Sequence, residues 1–214
     1  LSKEGFNVMT YNYPGFWKSQ GNISHESTLS SVQSAINFTK SKYSMQSFET
    51  DISDIILIGY SYGAGMALLA STQNFLIKKV ITIALGDLSL TAEQLEKNPN
   101  ARSSFEQMVN GILLNPSVGR GTTGKKYVEE MIKDRDKYDI KKYSEELAEK
   151  KLLFLVGWFD NRKRMENDVL PLYRELQSKG AKHVKISAFE TNHEFSNAQK
   201  EFTETIINWL KENK

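Results

Sequence analysis

"LIGYSYGAG", residues 57–65, follows directly on the apolar run that begins at Ile55 and leads into a stretch of small residues. Five of its residues, Gly59-Tyr60-Ser61-Tyr62-Gly63, fit the pattern Gly-x-Ser-x-Gly. Where such a pentapeptide joins a strand to a helix, each position has a physical task. The serine occupies a tight, strained turn that lifts its hydroxyl above the sheet edge. The glycines remove side chains that would collide where strand and helix nearly touch. The helix N-terminus and the Tyr62 backbone N–H then face the place where an oxyanion would develop. Alone the pentapeptide is a modest signal; the rest of the chain must supply a base and an orienting acid.

Outward from this segment the chain alternates short apolar runs with longer amphipathic ones. Residues 6–13, "FNVMTYNY", read as a strand closed by Pro14-Gly15. Residues 26–43 place Leu29, Val32, Ala35, Ile36 and Thr39 near one helical face. "DIILIGYS" reads as a buried strand, and "YGAGMALLAST" as a helix dense in small residues. Further strands are expected at 78–86, 150–160 and 183–190. Helices are expected at 170–180 and at the C-terminal end, where Phe202, Ile206, Trp209 and Leu210 share one side. Near-continuous apolar strands separated by amphipathic helices predict an α/β fold, with a mostly parallel sheet flanked by helices.

Residues 87–149 break the alternation. They hold no strand pattern but three helical ones, "ARSSFEQMVNGILL", "KKYVEEMIKDRDKY" and "KKYSEELAEK". We therefore expect one domain over 1–214 with a helical insertion at about 87–149, in the position of a lid.

Composition narrows the chemistry. The chain has 214 residues, 39% apolar and 25% charged, with a net charge of +2. Both signs are interspersed, so no field favouring nucleic acid is expected. No run of 18 apolar residues suggests a membrane-spanning helix. The chain has no cysteine, so thiol catalysis, disulfides and thiolate metal sites are excluded within it. With three histidines, His25, His183 and His193, a histidine-rich metal site is not expected, and neither is an organic cofactor.

His193, in "FETNHEFSN", follows a predicted strand and precedes the last helix, where α/β proteins place their chemistry. Asp160, in "FLVGWFDNR", ends the strongest apolar strand and could accept the imidazole N–H. Asp87, in "ALGDLS", holds the same kind of position one strand earlier and is the reserve acid. Ser61, Asp160 and His193 thus run in the order nucleophile, acid, base, each after a strand. His25 is the other candidate base, and His183 reads as a surface residue. Phe16, Trp17 and Tyr60 are candidates for a substrate pocket, and Tyr11 and Tyr13 add to the aromatic crowding near residue 15. "GRGTTGKK", 119–126, nearly matches a phosphate loop, but it lacks a preceding strand and the Ser or Thr after its lysine, and reads as a solvated turn.

These segments together resemble the α/β-hydrolase superfamily, in particular serine esterases and prolyl-oligopeptidase-like hydrolases. "LIGYSYGAGMAL" looks like that family's fifth strand, nucleophile turn and following helix. "LLFLVGWFDN" looks like its seventh strand with the acid, and "LYRELQSKGAKHVKISAFETNHEFS" like its tail. "EGFNVMTYNYPGFWKSQGN" looks like the fourth-strand segment, with Asn12 where an aspartate is usual and Trp17 where the second glycine is usual. The resemblance implies a triad of Ser61, Asp160 and His193, an oxyanion donor at Tyr62, and hydrolysis of a small-molecule or peptide substrate. A carboxylic ester is expected first; an amide, or a non-catalytic binding role, are the alternatives. It also implies early strands and a second oxyanion donor in a His-Gly loop that precede this segment, so that Leu1 is expected to open a fragment of a longer protein.

Overall fold

The computed structural model describes residues 1–115, 119–162 and 164–213. Four strands form one sheet: β1 Ile56–Tyr60, β2 Lys79–Ile83, β3 Lys151–Gly157 and β4 Val184–Phe189. Their spatial order is β1-β2-β3-β4 and every pairing is parallel. Nine helices accompany them among the described residues. In chain order these are α1 His25–Thr39, α2 Lys42–Phe48, α3 Tyr62–Thr72, α4 Leu88–Lys97, α5 Pro99–Leu113, α6 Gly124–Lys133, α7 Ser144–Ala148, α8 Leu170–Ser178 and α9 Gln199–Glu212. The contacts divide the chain into two compact units, one of Leu1–Val8, Thr39–Gly86 and Ile140–Lys214, the other of Met9–Phe38 and Asp87–Asp139.

The first unit holds the sheet. Its β2 and β3 are buried almost throughout, as apolar runs in the middle of a parallel sheet must be. On β2, β3 and β4, Ile81, Leu153, Leu155 and Phe189 pack against Phe195 and against Ile206, Trp209 and Leu210 of α9. That is the helical face expected from the sequence. Ala64 and Met66 through Ala70 of α3 are all buried, so this helix is apolar around its whole circumference. Small residues let it come close: a Cβ on Gly65 would lie 2.5 Å from the Gly86 carbonyl oxygen.

Two strand expectations are corrected. Residues 6–13 form no strand; they run irregularly, with Val8, Met9 and Tyr11 exposed. Alternating apolar residues make a strand only where a neighbouring strand accepts their backbone groups, and this segment is not part of the ladder that begins at β1. Likewise β1 is not buried. It pairs with β2 alone among the described strands, and Ile58 and Tyr60 are 42% and 46% exposed. The insertion is helical as expected, and α4, which the sequence reading passed over, precedes its first predicted helix.

The second unit is built around α1, α4, α5 and α6. Gly124 sits so close to α5 that a Cβ would lie 2.0 Å from the Glu106 carbonyl oxygen, while its N–H donates to Asn110 Oδ1 at 2.7 Å. Arg120 donates from Nη2 to the Ser19 carbonyl at 2.6 Å, and its own carbonyl accepts the Ile23 N–H. The glycine-rich 119–126 segment therefore serves close chain approach, following a helix and not a strand.

His25 is not a base in waiting. It opens α1 fully buried, its ring 4.1 Å from that of Tyr127, and Nε2–H donates to the Tyr127 carbonyl at 3.1 Å. Glu130 Oε1 accepts the backbone N–H groups of His25 and Glu26, which caps the start of α1. Burial pushes the His25 imidazole down to about 4. Its stability contribution is therefore whole above about pH 6.5, where both states are neutral. It falls away between about 6.5 and 4, where only the unfolded chain takes up the proton, by roughly 3 kcal/mol. Urea unfolding followed by circular dichroism at about pH 4.5 and about pH 7.5 should show this loss. His25→Phe, which keeps a ring against Tyr127, should reduce the difference between the two pH values.

Candidate active site

The Gly59–Gly63 turn is dictated by crowding. A Cβ on Gly59 would lie 2.2 Å from the Gly63 carbonyl oxygen, so only glycine lets β1 fold back into α3 here. Ser61, the N-cap of α3, is held at φ 52°, ψ −117°, a region L-residues rarely occupy. Hydrogen bonds fix it from three sides. Its N–H donates to the Ile83 carbonyl at 2.7 Å, and its carbonyl accepts the N–H groups of Ala64 at 3.0 Å and Gly86 at 3.1 Å. The strained residue is thus braced by the end of β2, where Ala84 is also in the left-handed region. Tyr62 is the first residue of α3, at the positive end of the helix dipole.

The candidate acid and base come from the ends of β3 and β4. Past β3 the chain continues in register beside the segment that follows β4: the N–H groups of Trp158 and Phe159 donate to the carbonyls of Phe189 and Thr191. Gly157 allows the two to close up, since a Cβ there would lie 2.5 Å from the Thr191 oxygen. Asp160 and His193 are consequently buried, at 5% and 6% exposure. Asp160 Oδ2 accepts from His193 Nδ1 at 2.6 Å. Its other oxygen, Oδ1, accepts the Arg162 backbone N–H at 2.9 Å, which aims the carboxylate. With the carboxylate on Nδ1, that nitrogen carries the proton and Nε2 offers its lone pair. Nε2 lies 3.1 Å from Ser61 Oγ. The three residues singled out by chain order thus form one continuous hydrogen-bonded line.

Other candidates take different places. Asp87 caps α4, with Oδ1 accepting the Leu90 N–H at 3.1 Å. Phe16 and Trp17 belong to the second unit and Ser61 to the first. Trp17 is 55% exposed, and its carbonyl accepts from Arg120. Tyr11 lines a groove of about 420 Å³ within the second unit, with Met9, Pro14, Ala35 and Phe38. His183 is exposed and lends β3 only its carbonyl. Tyr60 gains a role that its sequence context does not suggest. Its ring packs 5.3 Å from that of His193, and its hydroxyl donates to the His193 carbonyl at 3.3 Å. Burial, with Glu194 close by, raises the Tyr60 phenol above its ordinary value, so it stays a donor at neutral pH.

One residue at this site was missed by sequence reasoning. Arg162 Nη1 lies 3.0 Å from His193 Nε2, the same nitrogen that faces Ser61. The only signal was its place two residues after Asp160. The described residues hold no group of His, Asp or Glu side chains able to bind a metal. Among the described residues, no helix is long and apolar enough to cross a membrane.

Comparison with known proteins agrees with this geometry at the level of fold. The family described as Chlamydia CHLPS protein (DUF818) matches residues 2–81, which include Ser61 but neither Asp160 nor His193. No curated protein matches the chain in sequence. By structure it is similar to the Pyrococcus furiosus esterase Pf2001, with a TM-score of 0.68 and 16% identity over 98% of this chain and 71% of that one. A carboxylesterase structure from Nitrososphaera gargenis gives 0.59 and 14%, over 94% and 78%. An acylaminoacyl peptidase of Pyrococcus horikoshii gives 0.53 and 20%, over 79% of this chain but 24% of that one. The chain has the α/β-hydrolase fold.

The strain at Ser61 is measurable. Glycine tolerates this backbone and alanine does not, and strain of this kind costs about 1–3 kcal/mol. Ser61→Gly should therefore melt at a higher temperature than Ser61→Ala in differential scanning calorimetry. Equal midpoints would mean that the turn holds no strain.

Proposed function

We infer that the protein is a serine hydrolase that cleaves a carboxylic ester through an acyl-enzyme. The observation that carries this reading is the unbroken line from Asp160 Oδ2 through the His193 ring to Ser61 Oγ, 2.6 Å at one end and 3.1 Å at the other. His193 Nε2 removes the serine proton as Oγ attacks the carbonyl carbon. Asp160 holds the imidazole in the Nδ1–H tautomer and stabilises its charged form. The negative charge that develops on the carbonyl oxygen meets the Tyr62 backbone N–H and the start of α3. His193 then passes its proton to the leaving oxygen. A water activated by the same nitrogen releases the acyl group.

Support comes from three directions: the buried acid–base pair, the strained serine at a helix start, and a fold shared with proteins described as esterases. The likeness to an acylaminoacyl peptidase keeps amide cleavage as the second reading. Parallel assays on phenyl esters and on aminoacyl anilides distinguish the two.

A fluorophosphonate probe should label Ser61 covalently. Ser61→Ala should abolish the label, and His193→Ala should slow it strongly. Asp160→Asn should leave the fold intact while lowering turnover on the order of 10⁴-fold, by removing the carboxylate that fixes the tautomer. Folded protein that takes up no label would refute the hydrolase reading.

A further inference from the structure

We propose that Arg162 selects substrates whose leaving group carries a carboxylate. This rests on the serine-hydrolase reading and adds to it the chemical class of the substrate.

The starting point is a guanidinium that the catalytic line does not need. Arg162 Nη1 is 3.0 Å from His193 Nε2, while Ser61 Oγ is 3.1 Å from the same atom. Two donors, a hydroxyl and a guanidinium N–H, face one lone pair. The Arg162 side chain forms no ion pair with a carboxylate among the described residues. Asp160 is already engaged by His193 and by the Arg162 backbone N–H. Glu194 is close enough to act on the Tyr60 phenol, as Arg162 is, yet it makes no salt bridge to Arg162. The residue is exposed, so incoming solute reaches it.

An arginine is always charged, has five donors and accepts nothing. One N–H turned to an imidazole nitrogen uses little of that capacity. A positive charge beside the nitrogen that takes up a proton during turnover also opposes the reaction. Both objections vanish when an anion arrives. A carboxylate takes two N–H groups of the guanidinium side by side, compensates its charge and draws it off Nε2. The Ser61 hydroxyl is then the one donor left on that lone pair.

The position also says which part of the substrate bears the charge. His193 Nε2 hands its proton to the leaving oxygen, so the space beside Nε2 is leaving-group space. A cation there meets an anion on the alcohol half of an ester, and an acyl chain lies on the other side of the scissile bond. Esters of hydroxy acids have this form.

The test uses three phenolic esters. Phenyl acetate is neutral. 3-Carboxyphenyl acetate adds a carboxylate to the leaving group, at a ring position that barely alters the reactivity of the ester. Phenyl hemisuccinate carries its carboxylate on the acyl side. The wild-type protein should favour 3-carboxyphenyl acetate over phenyl acetate by about 10- to 100-fold in kcat/KM, the size of a charge-assisted pair. Arg162→Gln should erase that preference chiefly through KM, and Arg162→Lys should keep part of it.

Fluorophosphonate labelling of Ser61 is run alongside. Labelled protein that shows no preference for 3-carboxyphenyl acetate overturns the proposal and leaves the hydrolase reading standing. So does an Arg162→Gln variant that slows all three esters by one factor. A preference for phenyl hemisuccinate overturns the leaving-group assignment. Absence of both labelling and turnover overturns the hydrolase reading, and the proposal falls with it.

Discussion

The near-contact of β1 and α3 governs the geometry of the candidate site. Strand and helix meet where Gly59 approaches the Gly63 backbone, with no room for a side chain at Gly59. The residue between them is forced into a backbone conformation that costs energy. That cost is borne by the hydrogen bonds to Ile83, Ala64 and Gly86, and by an α3 buried all round. An exposed turn of the same sequence would relax. Here the sheet and helix over-determine it, and the hydroxyl is presented at a fixed point above the sheet edge.

A second constraint sets the other two residues. Asp160 and His193 hang from neighbouring strands whose extensions remain hydrogen-bonded past their ends, with Gly157 at the closest approach. The imidazole is held by the Asp160 carboxylate and packs against the Tyr60 ring, while the Tyr60 hydroxyl donates to the His193 backbone carbonyl. Tyr60 belongs to the same turn as Ser61, so one short segment places the serine and also steadies His193. The aspartate is aimed in turn by the Arg162 backbone N–H, which ties the cation's loop to the acid.

Much of this was legible in the sequence because local physics decides it. The four apolar runs that became β1 to β4, the small-residue helix after Ser61 and the amphipathic face of α9 are patterns that only one packing satisfies. Chain order then picked out Asp160 and His193 among many acids and few histidines. What was not legible depends on partners distant in sequence. Residues 6–13 alternate like a strand yet pair with nothing in the sheet. The apolar run at β1 gives no hint that Ile58 faces outward. His25 looks available for chemistry until Tyr127 and Tyr138 close over it from another helix and turn. Arg162 resembles any loop arginine, because the residue it meets lies 31 positions away.

The spacing of Ser61, Asp160 and His193 along the chain has a consequence for synthesis. Asp160 and His193 are separated by 33 residues, but Ser61 and His193 by 132. The Ser61 turn is complete once β2 and Gly86 have been made to brace it, about a hundred residues before His193. Asp160 and His193 can pair only when the segment before α9 has been made. Under the proposed mechanism, a growing chain that has not yet reached His193 would hold the serine without its base.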